Sequence, residues 1–325
     1  MKFIKAYVKS MRLYYGFITG IAGWVGIEFY GYIARISSSD IYVDPSPKRK
    51  ALILAILFLS WGVNQIINDY LGMEEDKINA PMRPMVTGEL NYKKAILLSF
   101  IVTILSFILV AIYLEPIAIV PAVIGILLNI LYEYAKGHGI LGNIVFGAMI
   151  ATCPFVGLLA SGPIDDIKYI YDFMPSVIVI AILNGVMTFY TYFKDYEGDK
   201  AAGKRTLIVM YGIEKAKIIS IVMSFVPLIT VAIMYATGYV SVGFTKDIWF
   251  LFCIAAFMQF WNGYQYYKHP VGKETYYSLV VNFQACVLGQ VVLIAFYNPD
   301  LAIKLFIITY IGISFLFSLH SNREA

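Results

Sequence analysis

The chain has 325 residues, 60% hydrophobic and only 14% charged, with a formal net charge of +4. Soluble domains usually carry about 25% charged residues, so the composition excludes an ordinary soluble domain. The small net charge gives no reason to expect a nucleic-acid partner. An all-α, polytopic transmembrane helical bundle in a lipid bilayer is what such a composition supports.

Runs of about 20 apolar residues recur along the chain, and ten spans are predicted: roughly 13–34, 50–67, 95–114, 116–134, 143–161, 175–193, 214–236, 247–267, 277–296 and 301–319. Lys2, Lys5, Lys9 and Arg12 precede the first span, which is long enough to cross and has no convincing cleavage site, so no signal peptide is predicted. Glu28 falls inside that span. A carboxylate there either serves a function or reaches water at the outer surface, and both readings stay open. The loop 36–49, with Ser37-Ser38-Ser39 and Pro45-Ser46-Pro47, reads as a turn-rich external link.

The second span runs straight into the most polar stretch of the chain, from Asn68 to Pro84. It holds Asp69, Glu74, Glu75 and Asp76 together with Lys77 and Arg83. A second stretch of similar chemistry, Lys194 to Thr206, follows the span 175–193 and contains Asp195, Glu197 and Asp199 among Lys194, Lys200, Lys204 and Arg205. Between the fifth and sixth spans, Gly162 to Pro175 is expected along the outer interface. With the N-terminus in the cytoplasm, both acidic loops and most basic residues, Arg323 included, fall on the cytoplasmic side. Lys48-Arg49-Lys50 is then a local exception to the positive-inside pattern.

Residues four or seven apart share a helix face, so Asp195 with Asp199, and Asp69 with Asp76, could each point into one cavity. Clustered oxygen ligands suit Mg²⁺, which favours sites shared between one or two carboxylates and substrate phosphates. Arg83, Lys194, Lys204 and Arg205 offer direct phosphate contacts. Solvated charge runs usually bind nothing, but two loops of matching composition on one side are poorly explained that way. A metal and basic residues around a diphosphate, opening onto lipid, would stabilise the departing diphosphate and leave an allylic cation. The carboxylates then act on the metal, not as nucleophiles.

The residues resemble the UbiA superfamily of intramembrane prenyltransferases. The first stretch resembles its NDxxDxxxD signature and continues as Asp76, Asn79, Pro81, Arg83, Pro84 and Gly88. The second resembles DxEGDxxxGxRT through Asp195, Glu197, Gly198, Asp199, Gly203, Arg205 and Thr206. Tyr132-Glu133-Tyr134-Ala135-Lys136, followed by Gly142-Asn143, resembles the YxxxK element. The similarity covers roughly residues 10 to 295. It implies a bundle of nine helices around a laterally open cavity, so 301–319 would be an added C-terminal helix or a later span would lie at the interface. One domain would occupy residues 1–325.

The resemblance also implies transfer of a polyprenyl group from its diphosphate to a lipophilic acceptor, an aromatic ring or a glycerophospholipid precursor. The cofactor would be Mg²⁺ and the active site would face the cytoplasm. Asn68, Asp76, Asp195 and Asp199 would hold two Mg²⁺ ions, with Arg83, Lys136, Lys194 and Arg205 on the diphosphate and Tyr132 near the reacting end of the prenyl chain. The middle aspartate of the first motif is Gly72 here, and Asp69 or Glu75 could supply the missing ligand. Two rivals are a prenyl diphosphate cyclase or hydrolase, which would release diphosphate without an acceptor, and a cation-coupled transporter. Transporters place such groups near the bilayer midplane, and these lie at span ends.

Asn64 and Asn184 are the best candidates to face an acceptor; Asn129, Gln259, Asn262, Asn282, Gln284 and Gln290 read as helix–helix hydrogen bonds. Cys153, Cys253 and Cys286 lie in apolar runs with no CxxC spacing and read as packing residues. His138, His269 and His320 are isolated, without ligand spacing.

Overall fold

A computed structural model describes residues 2–238 and 243–321, so Arg323 lies outside the described residues. A short helix, α1 (Lys2–Met11), leads through Arg12 into α2 (Gly16–Ile36). The second span is α3 (Pro47–Leu71). Pro47 opens its first turn, and the Ser46 hydroxyl accepts from the Arg49 N–H. Beyond Gly72 comes a short helix, α4 (Met73–Asn79), then α5 (Tyr92–Tyr113), α6 (Ile119–Ala135), α7 (Ile140–Ile150) and α8 (Thr152–Ser161). The second half contains α9 (Ile167–Thr191), the short α10 (Tyr196–Ala201) and α11 (Leu207–Tyr211), then α12 (Ile213–Ala236), α13 (Lys246–Lys268), α14 (Lys273–Ala295) and α15 (Pro299–Ser321).

All ten predicted spans are helical, and among the described residues 9 helices are long and apolar enough to cross a membrane. The exception is α13, which carries Gln259, Asn262 and Gln265. The C-terminal α15 meets the criterion in full. One boundary differs from expectation: α9 begins at Ile167, capped by Asp166, and carries Pro175 inside it. Most of Gly162 to Pro175 is therefore helix, not an interfacial link. Proline removes one helical N–H, which a long helix packed on several neighbours tolerates.

The helices form an inner and an outer layer. Within their apolar windows, α2, the α7–α8 pair, α9 and α14 are 67–83% buried, against 17–39% for α3, α5, α6, α12 and α15. The outer helices turn Phe100, Ile112, Val222 and Ile307 outward, where lipid is as good a neighbour as protein. Association in lipid rests on close packing and on hydrogen bonds between helices. The crossing of α2 on α8 shows the first: a Cβ on Gly157 would lie 1.9 Å from the Gly23 carbonyl oxygen, and one on Gly26 would lie 2.0 Å from that of Pro154. Only glycine lets these backbones touch. Of the cysteines, Cys153 and Cys286 are buried, whereas Cys253 is exposed on the outside of α13 and is not a packing residue.

Glu28 is 2% exposed, so it does not reach water. It accepts a 2.9 Å hydrogen bond from the Asn298 amide, which joins α2 to the start of α15, and lies 3.6 Å from Lys50. Lys50 also meets Asp44 at 3.1 Å, and Arg49 meets Glu115 at 2.9 Å. Arg49 and Lys50, two of the three basic residues that depart from the positive-inside pattern, are thus neutralised locally at their own end of the bundle.

Candidate active site: a charged mouth above an apolar cavity

At the opposite end, α3 and α9 deliver their polar continuations to the same place, where α4 packs on α10. A hydrogen bond fixes this junction: the Gly198 N–H donates to Asn79 Oδ1 at 2.8 Å. A Cβ on Gly198 would lie 2.3 Å from the Asn79 side chain, so any larger residue at 198 would push the Asn79 side chain out of this junction. Asn79 and Gly198 had no assigned role in the sequence, and their pairing is legible only once the loops are face to face. Gly142 acts similarly, allowing α7 to approach the Lys136 backbone; a Cβ there would be 2.8 Å from both Lys136 Cα and the Tyr192 hydroxyl.

The mouth is a polar cavity of about 100 Å³, bordered by Arg12, Asn68, Asp69, Glu75, Asp76, Arg83, Tyr132, Glu133, Lys136, Lys194 and Asp195. Acids and bases alternate along it. Arg12 reaches Asp69 at 2.7 Å, Arg83 lies 3.6 Å from Asp69 and pairs closely with Asp76. Lys194 pairs with Asp195 at 2.6 Å, Lys136 with Asp199 at 2.8 Å, and Lys204 with Glu75 at 2.8 Å and Glu133 at 3.3 Å. Asp199 itself is fully buried behind Lys136 and does not border the mouth, whereas Asp195, one turn earlier, does.

These pairs shift the titration of the loop residues. Burial alone would raise Asp195, but Lys194, Lys136 and Arg83 together overcome it and hold the carboxyl down at about 2. Burial pushes Asp199 up to about 6, with Lys136 opposing and Asp195 reinforcing. Burial also raises Asp76, with Arg83 pulling the other way. Lys136 is raised because Asp195, Asp199 and Glu133 outweigh the burial that would lower it.

Whether Mg²⁺ fits is tested by the oxygens left over. Asn68 Oδ1, Asp69 Oδ2 and both carboxylate oxygens of Asp199 are buried without a well-aligned hydrogen bond. Among the described residues no group of three or more His, Cys, Asp or Glu could hold a metal by itself. One or two protein oxygens per ion, with phosphate supplying the rest, is the arrangement Mg²⁺ favours. The donor set fits on those terms.

At Gly72 the backbone remains nearly helical (φ −92°, ψ 15°), and its carbonyl accepts from the Asp76 N–H at 3.0 Å. That carbonyl is therefore taken by a local hydrogen bond. Asp69 faces the mouth but is held by Arg12 and by the Gln65 amide at 2.9 Å, and Glu75 is held by Lys204.

Asn68 and Trp61 also border a second cavity of about 100 Å³, apolar and lined by Ile56, Leu57, Phe107, Ile126, Ile150 and Val156 among others. Asn64 lines this cavity. Asn129 does too, with neither amide atom partnered, so it is not the helix–helix bond expected of it. Asn184 lies elsewhere, fully buried and bonded to the Ile180 carbonyl at 2.8 Å and to Cys286. Tyr132 stands at the mouth with its ring centroid 5.2 Å from that of Phe146. Arg205 is exposed; its main chain pairs with residues 137–139, and its side chain does not border the mouth. Sequence reasoning gave no site role to Arg12, whose signal was only its place in a basic N-terminal run. It is 6% exposed, with a left-handed backbone (φ 47°, ψ 67°) that a non-glycine residue seldom adopts.

The family model of UbiA prenyltransferases matches residues 42–285. A digeranylgeranylglyceryl phosphate synthase of Thermococcus sibiricus is 28% identical over 273 residues, covering 83% of this chain and 89% of that protein. One from Pyrococcus furiosus is 30% identical over 227 residues, covering 70% and 76%. A UbiA homologue from Archaeoglobus fulgidus bound to DMAPP and Mg²⁺ superposes with a TM-score of 0.59 at 16% identity, covering 88% of this chain and 98% of that one. At that identity the shared property is the fold.

Proposed function

The chain belongs to the UbiA prenyltransferase family, and on that premise we propose that it transfers a prenyl group from an allylic diphosphate to a prenylated glyceryl phosphate. The observation that carries this reading is the junction of two unlike cavities at Asn68 and Trp61: a charged mouth for the diphosphate and an apolar cavity for its hydrocarbon. The choice of a glyceryl phosphate over an aromatic acceptor is supported by the relatives, which are digeranylgeranylglyceryl phosphate synthases.

Asn68 and Asp76 would hold one Mg²⁺, with Asp69 beside them, and Asp195 and Asp199 a second. When bound, the ions neutralise charge on the departing diphosphate. Arg83, Lys136 and Lys194, now paired with carboxylates, would turn toward phosphate oxygens as those carboxylates engage metal. The side chains exchange partners, and the site need not be rebuilt. Lys204 bridges Glu75 and Glu133 at the rim, which holds α4 in place. Tyr132, Phe146 and Trp61 surround the junction, and aromatic faces there stabilise positive charge on the allylic carbon while excluding water. The carbon–oxygen bond to diphosphate breaks, an ether bond forms to the acceptor hydroxyl, and the hydroxyl proton leaves with the diphosphate.

The mouth faces the cytoplasm in this reading. The basic residues around it and the local neutralisation of Arg49 and Lys50 at the other end support that orientation. Mass spectrometry of lipids that co-purify with the protein tests the acceptor class. Prenylated glyceryl phosphates are expected; prenylated aromatic acids alone would overturn the reading.

A further inference from the structure

Beside the mouth lies another cavity of about 170 Å³, bordered by Arg12, Tyr14, Asn79, Met82, Arg83, Lys194 and Leu279 among others. The two cavities share Arg12, Arg83 and Lys194 as a common wall. Their charge is distributed unequally. The mouth is bordered by Asp69, Glu75, Asp76, Glu133 and Asp195, whereas among the described residues no acidic one borders the second cavity. Each cation of the wall spends part of its hydrogen-bonding capacity on the mouth side: Arg12 on Asp69, Arg83 on Asp76, Lys194 on Asp195. A guanidinium carries five N–H donors in a planar fork, and Arg83 Nε is buried with no partner. Arg12 is held at this wall by a left-handed backbone, a strained conformation of a kind that concentrates at functional sites.

We propose that this second cavity is the subsite for the phosphate of the acceptor, a phosphomonoester dianion, while the mouth takes the donor's diphosphate. The assignment rests on the reading that the acceptor is a prenylated glyceryl phosphate. With no carboxylate among its described lining residues, the cavity presents to such a dianion the side of three cations that faces away from their mouth-side carboxylates, and it needs no metal to bind one. The mouth, with its carboxylates, repels a phosphate that brings no metal. Two anions on opposite faces of one cationic wall also place the acceptor beside the donor's reacting end, since Tyr15, Asn79 and the wall residues border both cavities.

Met82 provides the test, because it borders only the second cavity and is 59% exposed in a loop. Met82→Glu should raise the KM for the glyceryl phosphate acceptor about tenfold through like-charge repulsion across a partly solvated gap. The KM for the prenyl diphosphate and the half-saturating Mg²⁺ should stay within about twofold of wild type. Met82→Gln, of similar size and no charge, should leave all three near wild type and excludes a merely steric effect. Glycerol 1-phosphate, used as a probe with the purified full chain, should compete with the acceptor and not with the diphosphate. A shift in the diphosphate KM with none in the acceptor KM, or competition by glycerol phosphate against the diphosphate alone, overturns the subsite. If wild type transfers nothing to a glyceryl phosphate but does prenylate an aromatic acid, the functional reading falls first and takes this assignment with it.

Discussion

Substituting Gly198 by alanine should impair catalysis far more than stability. The added Cβ would lie 2.3 Å from the Asn79 side chain, where ordinary van der Waals contact begins at 3.4 Å, so α10 or Asn79 must give by about 1 Å. The hydrogen bond from the Gly198 N–H to Asn79 Oδ1, 2.8 Å long, is stretched or lost in the process. Overpacking costs about 1–3 kcal/mol and a lost hydrogen bond about 1 kcal/mol, which the protein survives as a loss of a few degrees in Tm. The catalytic cost is larger. Asp195 and Asp199 ride on α10 and its entry, Asp76 rides on α4, and a misplacement of about 1 Å between reacting groups lowers rate by about a hundredfold. Activity with saturating diphosphate and acceptor should therefore fall about a hundredfold, with a raised half-saturating Mg²⁺. Asn79→Ala in the same chain removes the clash but not the loss of the bond, so the double variant should regain part of the activity. Wild-type turnover by Gly198→Ala would refute the claim that this contact sets the two acidic loops in register.

Asp195→Asn and Asp199→Asn should each abolish turnover while the protein still folds and inserts, measured by product formation at saturating Mg²⁺ alongside size-exclusion behaviour. Activity should vanish with EDTA and return with Mg²⁺ more fully than with Ca²⁺, because a site completed by phosphate needs the compact octahedral ion. Asp199 titrates at about 6, so lowering the pH through that value protonates a ligand, and the half-saturating Mg²⁺ should rise between pH 7.5 and 5.5. Asp69→Asn removes the carboxylate that buried Arg12 meets at 2.7 Å and Arg83 at 3.6 Å, and breaking a buried pair costs about 3–5 kcal/mol. The variant should melt earlier than Asp76→Asn, whose partner Arg83 keeps Asp69 nearby.

Much of this was legible in the sequence, for a physical reason. Charges are expensive in so apolar a chain, so Asp76, Asp195, Asp199 and Arg83 stand out against their surroundings, and α3 and α9 lead directly into them; Lys136, after α6, was singled out only by the family resemblance. The ten helices follow from hydropathy in nearly every case. What stayed hidden are pairings between segments far apart in sequence. Arg12 reads as one more basic residue before a span, and only tertiary packing sets it against Asp69. Glu28 finds Asn298 only because α15 begins beside α2. Asp199 lies behind Lys136 instead of in the mouth because α10 turns it toward the interior. Arg205, similar in every local respect to Lys204, points elsewhere because its backbone pairs with residues 137–139. The span 247–267 was legible as α13 although its hydropathy is weak, since its polar Gln259 and Asn262 are buried and bonded to α14.

The most direct test of the central claim is a reconstituted reaction. Purified full-length protein with Mg²⁺ and geranylgeranyl diphosphate would be offered geranylgeranylglyceryl phosphate or an aromatic acid, and products identified by mass spectrometry. The account predicts digeranylgeranylglyceryl phosphate, formed only with the glyceryl phosphate present and absent with Asp195→Asn. Prenylation of the aromatic acid alone, or diphosphate release that proceeds equally with no acceptor, would contradict it.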